Sequence, residues 1–178
     1  FCSQPIREDY LLKGKLEETN DSYAIAKIAG IKLCQSLRQQ YGFDAISLMP
    51  TNLYGPNDNY HSENSHVMAA LIKRFYTAKT KNIKSVTCWG TGSPLREFMY
   101  VDDLGEAVLH ALEKWDPSNQ NAPKDEDGKP LTFLNVGTGK EISIYDLATK
   151  IAKIISFDGE IIWDNNKPDG TPRKLLNI

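Results

Sequence analysis

The chain has 178 residues, of which 40 % are hydrophobic and 25 % charged, with a formal net charge of −2. That balance suits a soluble globular protein with one sizeable core, or a domain and a half. It excludes a general attraction to nucleic acid or to an anionic membrane, and no apolar run is long enough to span a bilayer. Cys2, Cys34 and Cys88 are odd in number and unclustered. They argue against a disulfide framework and a zinc site, and make a reducing cytoplasm the expected compartment.

Residues 1–21 are polar and irregular. Asn20, Asp21 or Ser22 then opens a helix that runs to about Tyr41, with Ile25, Ile28, Ala29, Leu33 and Leu37 as its apolar stripe and Gly42 as its stop. Residues 44–49 (DAISLM) read as a buried strand ending at Pro50, and residues 51–66 as a polar loop. A second helix is expected from about Ser65 to Lys79, with Asn64 or Ser65 as cap. Residues 85–89 form a strand, GTGSP a turn, and residues 97–101 another strand; Asp102 or Asp103 caps a helix through Trp115. Residues 116–130 are Pro, Asn and charge, an exposed hairpin or insertion loop. Residues 132–136 are a strand, Ser143 caps an amphipathic helix, residues 160–163 are a last strand, and KPDGTPRK is basic and turn-rich. Strands alternating with helices predict an α/β protein with parallel strands.

Several residues stand out chemically. Tyr23 and Lys27 lie four apart on one helix, a spacing that alone says little. An ammonium beside a phenol favours the phenolate, which eases proton release near neutrality. His66 falls near a helix N-terminus, which favours the neutral ring, and a neutral imidazole exchanges protons in either direction. Arg74 follows about two turns later, and Arg96 lies between a turn and a strand. Arginine binds a diphosphate through forked hydrogen bonds. Trp89 either stacks on a base or packs in a core. Lys73 reads equally well as solvated, and Asp102 and Asp103 as helix caps.

Six blocks stand in order: YAIAKIAGIKL, MPTNLYGP, NSHV, WGTG with REF and VDD, NVGTG, and KPDGTPRKLL. Together they resemble the extended short-chain dehydrogenase/reductase family, and the resemblance runs from Gln4 to Ile178. It implies part of a Rossmann sheet with a smaller substrate-binding α/β region. Residues 1–60 would be the remainder of the dinucleotide-binding domain and 61–178 mainly the substrate region, with about 97–115 returning to the Rossmann domain. It implies NADP (NADPH) as cofactor, a GDP-sugar as substrate, and a homodimer through the Tyr23–Lys27 helix. The implied activity is epimerisation of GDP-4-keto-6-deoxymannose at C3 and C5, then reduction at C4.

By the same resemblance, Tyr23 is the proton donor and Lys27 its partner and a ribose contact. Pro50, Thr51, Asn52 and Leu53 line the nicotinamide end of the cofactor. His66 is the acid of epimerisation and lies against the cofactor. Arg74, Trp89, Arg96 and Asp169 contact the sugar nucleotide. No metal is implied. The family's glycine-rich GxxGxxG turn is not in this sequence; Gly90-Thr91-Gly92 and Gly137-Thr138-Gly139 come nearest and lack the third small residue. The family's catalytic Ser and Cys belong to a segment before Phe1, so Cys2 is given no role. The expected identity is therefore the second half of such an enzyme, inactive alone. Its rivals are another nucleotide-sugar epimerase, reductase or dehydratase, and a non-catalytic sugar-nucleotide-binding fragment.

Overall fold

The computed structural model describes residues 2–61 and 64–178. The chain divides into two compact units. One comprises Phe1–Thr51, Asp102–Gly139 and Leu176–Ile178; the other comprises Asn52–Val101 and Lys140–Leu175.

In the first unit, helix α1 (Asp21–Tyr41) ends on Gly42, whose φ of +65° is the left-handed geometry that glycine adopts without penalty. The Gly42 N–H donates to the Arg38 carbonyl at 3.0 Å. Strand β1 (Ser47–Pro50) pairs in parallel with β5 (Phe133–Val136), Ser47 opposite Phe133 and Pro50 opposite Val136. Helix α3 (Val101–Lys114) precedes β5. Asp102 and Asp103 stand inside its first turn and are not its caps; there their carboxylates favour the positive end of the helix dipole. Asn135 ties the unit together: its N–H donates to Glu8 Oε1 at 2.9 Å, and its amide donates to the carbonyls of Ile6 (2.8 Å) and Asn177 (3.0 Å). The expected hairpin appears as an antiparallel bridge between Lys124 and Pro130.

The apolar stripe of α1 has the expected periodicity but is not buried. Ile25 is 56 % and Leu33 59 % exposed, and none of the helix's described side chains is fully buried.

The second unit holds the larger core. Strand β4 (Leu95–Tyr100) pairs in parallel with β2 (Asn52–Tyr54) and β8 (Arg173–Lys174), and antiparallel with β6 (Glu141–Ser143). Strand β3 (Ser85–Trp89) pairs in parallel with β7 (Glu160–Asp164). Helices α2 (Val67–Thr80) and α4 (Ile144–Ile155) pack together. Their stripes, Met68, Leu71, Phe75 and Ala78 on α2 and Leu147, Ala148, Ile151 and Ala152 on α4, close on Val86 and Cys88 of β3. Period 3.6 on the helices and period 2 on the strand put these residues on one side. Ser143 caps α4 as expected, its Oγ accepting from the Asp146 N–H at 2.9 Å. Strands β2, β6 and β8 are not anticipated by the sequence. In particular, Asn52–Tyr54 is part of a sheet rather than of the expected loop, of which Ser62 and Glu63 lie outside the described residues.

Candidate active site

On α1, Tyr23 and Lys27 meet. The Lys27 Nζ lies 5.6 Å from the centroid of the Tyr23 ring, and the tyrosine is 67 % exposed. Helical spacing i, i+4 puts them on one face, with an ammonium beside a solvent-accessible phenol. In the same unit, Pro50 and Thr51 stand where β1 ends. The Thr51 N–H donates to the Val136 carbonyl at 2.9 Å, so β1 and β5 finish side by side. The carboxyl ends of parallel strands are where open α/β sheets hold ligands. The exposed Tyr23–Lys27 pair and the aligned ends of β1 and β5 are features of this unit that could meet a nucleotide cofactor, through Lys27, Pro50 and Thr51.

The second unit carries the other expected residues. Asn52 and Leu53 lie on β2, half-buried, and the Asn52 amide donates to the Glu97 carbonyl at 2.8 Å. His66 is itself the N-cap residue of α2, in place of Asn64 or Ser65, and is exposed. Its ring caps no backbone group; its carbonyl accepts from the Ala70 N–H at 2.9 Å. The imidazole therefore has no capping duty.

Trp89 resolves in favour of the surface. It is 55 % exposed at the end of β3, with the Arg74 guanidinium 5.3 Å and the Lys167 Nζ 5.5 Å from its ring. Period 2 explains this: Val86 and Cys88 point into the core, so Trp89 points out. Arg74 also lines a cavity of about 330 Å³ with Ala70, Lys73, Ile83, Val86 and Thr87, a volume at the small end of ligand pockets. Lys73 donates to the Tyr60 carbonyl at 2.7 Å. Burial pushes the Cys88 thiol up even though the Arg74 charge opposes the shift, so it is no reactive thiolate.

Arg96 and Lys174 stand opposite each other on β4 and β8. Desolvation holds the Arg96 guanidinium below its ordinary value. Lys174 is exposed as a residue, yet desolvation and then the Arg96 charge hold its ammonium below the ordinary lysine value. The neighbouring Arg173 points the other way and is neutralised by Glu141 through two bonds of 2.7 and 2.8 Å. Among the described residues, no carboxylate forms an ion pair with Arg96 or Lys174. Two partly desolvated, uncompensated cations side by side are able to seat a polyanion. Asp169 lies in the segment that leads into β8, with both carboxylate oxygens on Thr91.

Lys167 and Lys174 escape the sequence reading. KPDGTPRK is visibly basic, but which of its cations is neutralised depends on the β8 register.

The seat predicts a pH dependence. An anion binds the charged lysine, so the affinity of this pair for a diphosphate is expected to fall as pH rises through the lowered Lys174 value, earlier than a free lysine would allow. Lys174→Arg keeps the charge and removes that part of the decline. Calorimetry on both proteins isolates the lysine from titration of the ligand; identical pH profiles would remove Lys174 from the seat.

Parallel strands with helical crossovers mark an α/β fold of the nucleotide-binding class. The NAD dependent epimerase/dehydratase family matches residues 2–123, and the chain belongs to that family. It is 53 % identical to a probable GDP-L-fucose synthase 1 of Oryza sativa subsp. japonica, over 99 % of this chain and 50 % of that protein. It is 50 % identical to the GDP-L-fucose synthase of Escherichia coli (strain K12), over 100 % of this chain and 54 % of that protein. Among solved structures, it superposes on a GDP-D-glycero-L-gluco-heptose synthase from Campylobacter jejuni, determined in the presence of NADPH. That match has a TM-score of 0.87 and 31 % identity, over 99 % of this chain and 58 % of the other. The chain spans about half the length of the curated relatives it matches.

Proposed function

We propose that this chain contributes the Tyr–Lys pair and the sugar-nucleotide seat of an NADP-dependent enzyme. That enzyme converts GDP-4-keto-6-deoxy-D-mannose to GDP-L-fucose, epimerising at C3 and C5 and reducing at C4. The observation that carries this reading is the uncompensated Arg96–Lys174 pair, with Arg74 and Trp89 in the same unit. The reading agrees with identities of 50–53 % to GDP-L-fucose synthases along nearly the whole chain.

Each residue has a chemical task. Arg96 and Lys174 neutralise the diphosphate, and Arg74 and Trp89 hold the nucleotide through charge and a stacking face. The ketone at C4 acidifies the protons at C3 and C5, so an enolate forms there when a base removes one. His66 gives the carbon a solvent-exchangeable proton on the opposite face. A nicotinamide held against Lys27, Pro50 and Thr51 would supply the hydride for C4. Tyr23 donates its phenolic proton to the C4 oxygen, and Lys27 stabilises the phenolate left behind. In this reading residues 1–51 and 102–139 serve the cofactor, and residues 52–101 and 140–175 the sugar nucleotide.

His66→Gln in the full-length protein tests the assignment. Solvent deuterium entry at C3 and C5 is expected to fall by about 10²-fold or more, the scale of a lost general acid. Binding of GDP should stay unchanged. Undiminished deuterium incorporation would count against both the role and the substrate.

A second reading follows from the C. jejuni structure: an enzyme acting on another GDP-linked keto-sugar. It keeps the diphosphate seat and the Tyr23–Lys27 step and changes only the sugar. Turnover of a GDP-heptose in preference to the 6-deoxymannose derivative would establish it.

A further inference from the structure

Trp89 and Arg96 are joined by a turn in which Gly90 and Gly92 have φ of +75° and +77°. The segment 164–174 is stitched to this turn at three points. The Gly90 N–H donates to the Asp164 carbonyl at 3.0 Å, and the Leu95 N–H donates to the Pro172 carbonyl at 2.9 Å. Between them, Asp169 binds Thr91 twice: Oδ1 accepts from the backbone N–H at 2.7 Å and Oδ2 from the hydroxyl at 2.8 Å. Of the three stitches, only the middle one is made by a side chain.

We propose that Asp169 is a positioning residue. Its carboxylate latches the 164–174 segment onto the Gly90–Ser93 turn and so fixes where Lys167, Arg96 and Lys174 present their charges. This rests on the sugar-nucleotide reading above and adds to it how the seat is held.

The atoms of the latch fit one arrangement. The Thr91 hydroxyl has one hydrogen, and it goes to Asp169. Its lone pairs then receive the Ser93 N–H at 3.1 Å and the Ser93 hydroxyl at 2.7 Å. A Cβ on Gly90 would stand 2.1 Å from Asp169 Oδ1, so the turn admits the carboxylate only with glycine there. The consequences of closure lie on both sides of Asp169. Two residues before it, Lys167 is brought over Trp89. Immediately after it, Gly170 passes the Arg96 guanidinium so closely that an added Cβ would lie 3.6 Å from Nη2. Four residues further on, Lys174 takes its place opposite Arg96. With both oxygens bonded to Thr91, Asp169 sets the positions of these cations.

The test uses the full-length protein with GDP-4-keto-6-deoxymannose and four variants: Asp169→Asn, Thr91→Val, their combination, and Thr91→Ser. Asp169→Asn removes a negative charge from the segment that carries Lys167 and Lys174. A purely electrostatic role predicts tighter binding of the anionic substrate, whereas the latch predicts weaker binding. The expected result is a KM raised about tenfold in Asp169→Asn and in Thr91→Val, the loss typical of one hydrogen bond to a charged group. The turnover number should stay within about twofold, and the double variant should be no worse than either single one. Thr91→Ser, which keeps the hydroxyl, should restore the original KM. Three outcomes overturn the latch while leaving the function standing: a lower KM in Asp169→Asn, an unchanged KM in Thr91→Val, or effects that multiply in the double variant. Loss of kcat at unchanged KM would likewise overturn it. Absence of turnover in the unsubstituted protein overturns the functional reading, and the latch with it.

Discussion

In the full-length protein, Tyr23→Phe is expected to slow reduction at C4 by about 10²- to 10⁴-fold, the range a positioned general acid contributes. The substitution removes one oxygen from a residue that is 67 % exposed and packs against no core, so stability should not change measurably. Deuterium exchange at C3 and C5 should continue, because that chemistry is assigned to His66. Stopped-flow loss of NADPH absorbance, followed beside exchange by mass spectrometry, separates the two steps. A reduction rate within tenfold of the original would remove Tyr23 from the hydride step. Loss of both reactions together would show that the tyrosine holds substrate and does not serve one step.

Phe75→Ala is expected to destabilise the second unit by about 3–5 kcal/mol, the usual cost of emptying an aromatic site that cannot collapse. Phe75 is 0 % exposed, and its ring stands 5.4 Å from that of Phe157 at an interplanar angle of 59°. It also lies next to Arg74 on α2, so the cavity and the cation against Trp89 share its support. A lower urea midpoint at unchanged slope would report this loss. A change below about 1 kcal/mol, less than an ordinary core truncation, would mean that α2 is not anchored where the structure puts it. The effect on GDP affinity should be smaller than the effect on stability while the protein remains folded.

Local signals account for much of the secondary structure. Ser85–Trp89 is found as expected because a buried alternation is closed by a glycine turn. Helix α4 begins where Ser143 offers an oxygen to an N–H three residues on. Strand β2 is illegible in the sequence because its stability comes from pairing with β4, Asn52 opposite Phe98, and three residues carry no periodicity. Strand β8 has two residues and no pattern at all. Helix α1 shows a different limit. Its stripe is apolar as the spacing predicts, but periodicity states which side of a helix seeks cover, not what covers it.

The site divides in the same way. Tyr23 and Lys27 were legible because four residues along a helix is a distance in space. Trp89 was undecided until the register of β3 sent Cys88 inward. Lys174 was hidden because Arg173 beside it is an equal candidate by sequence. Only the Glu141 carboxylate, 32 residues earlier, distinguishes them by neutralising one.

The chain passes between its two units at four places, after Thr51, Val101, Gly139 and Leu175. Neither unit is therefore an uninterrupted stretch of sequence, and no single cut releases either one whole. Exchange of one ligand specificity for another by splicing a block of gene would carry pieces of both units or break both. Change in the seat must then come residue by residue, within a segment such as 164–174, while the rest of the chain stays in place.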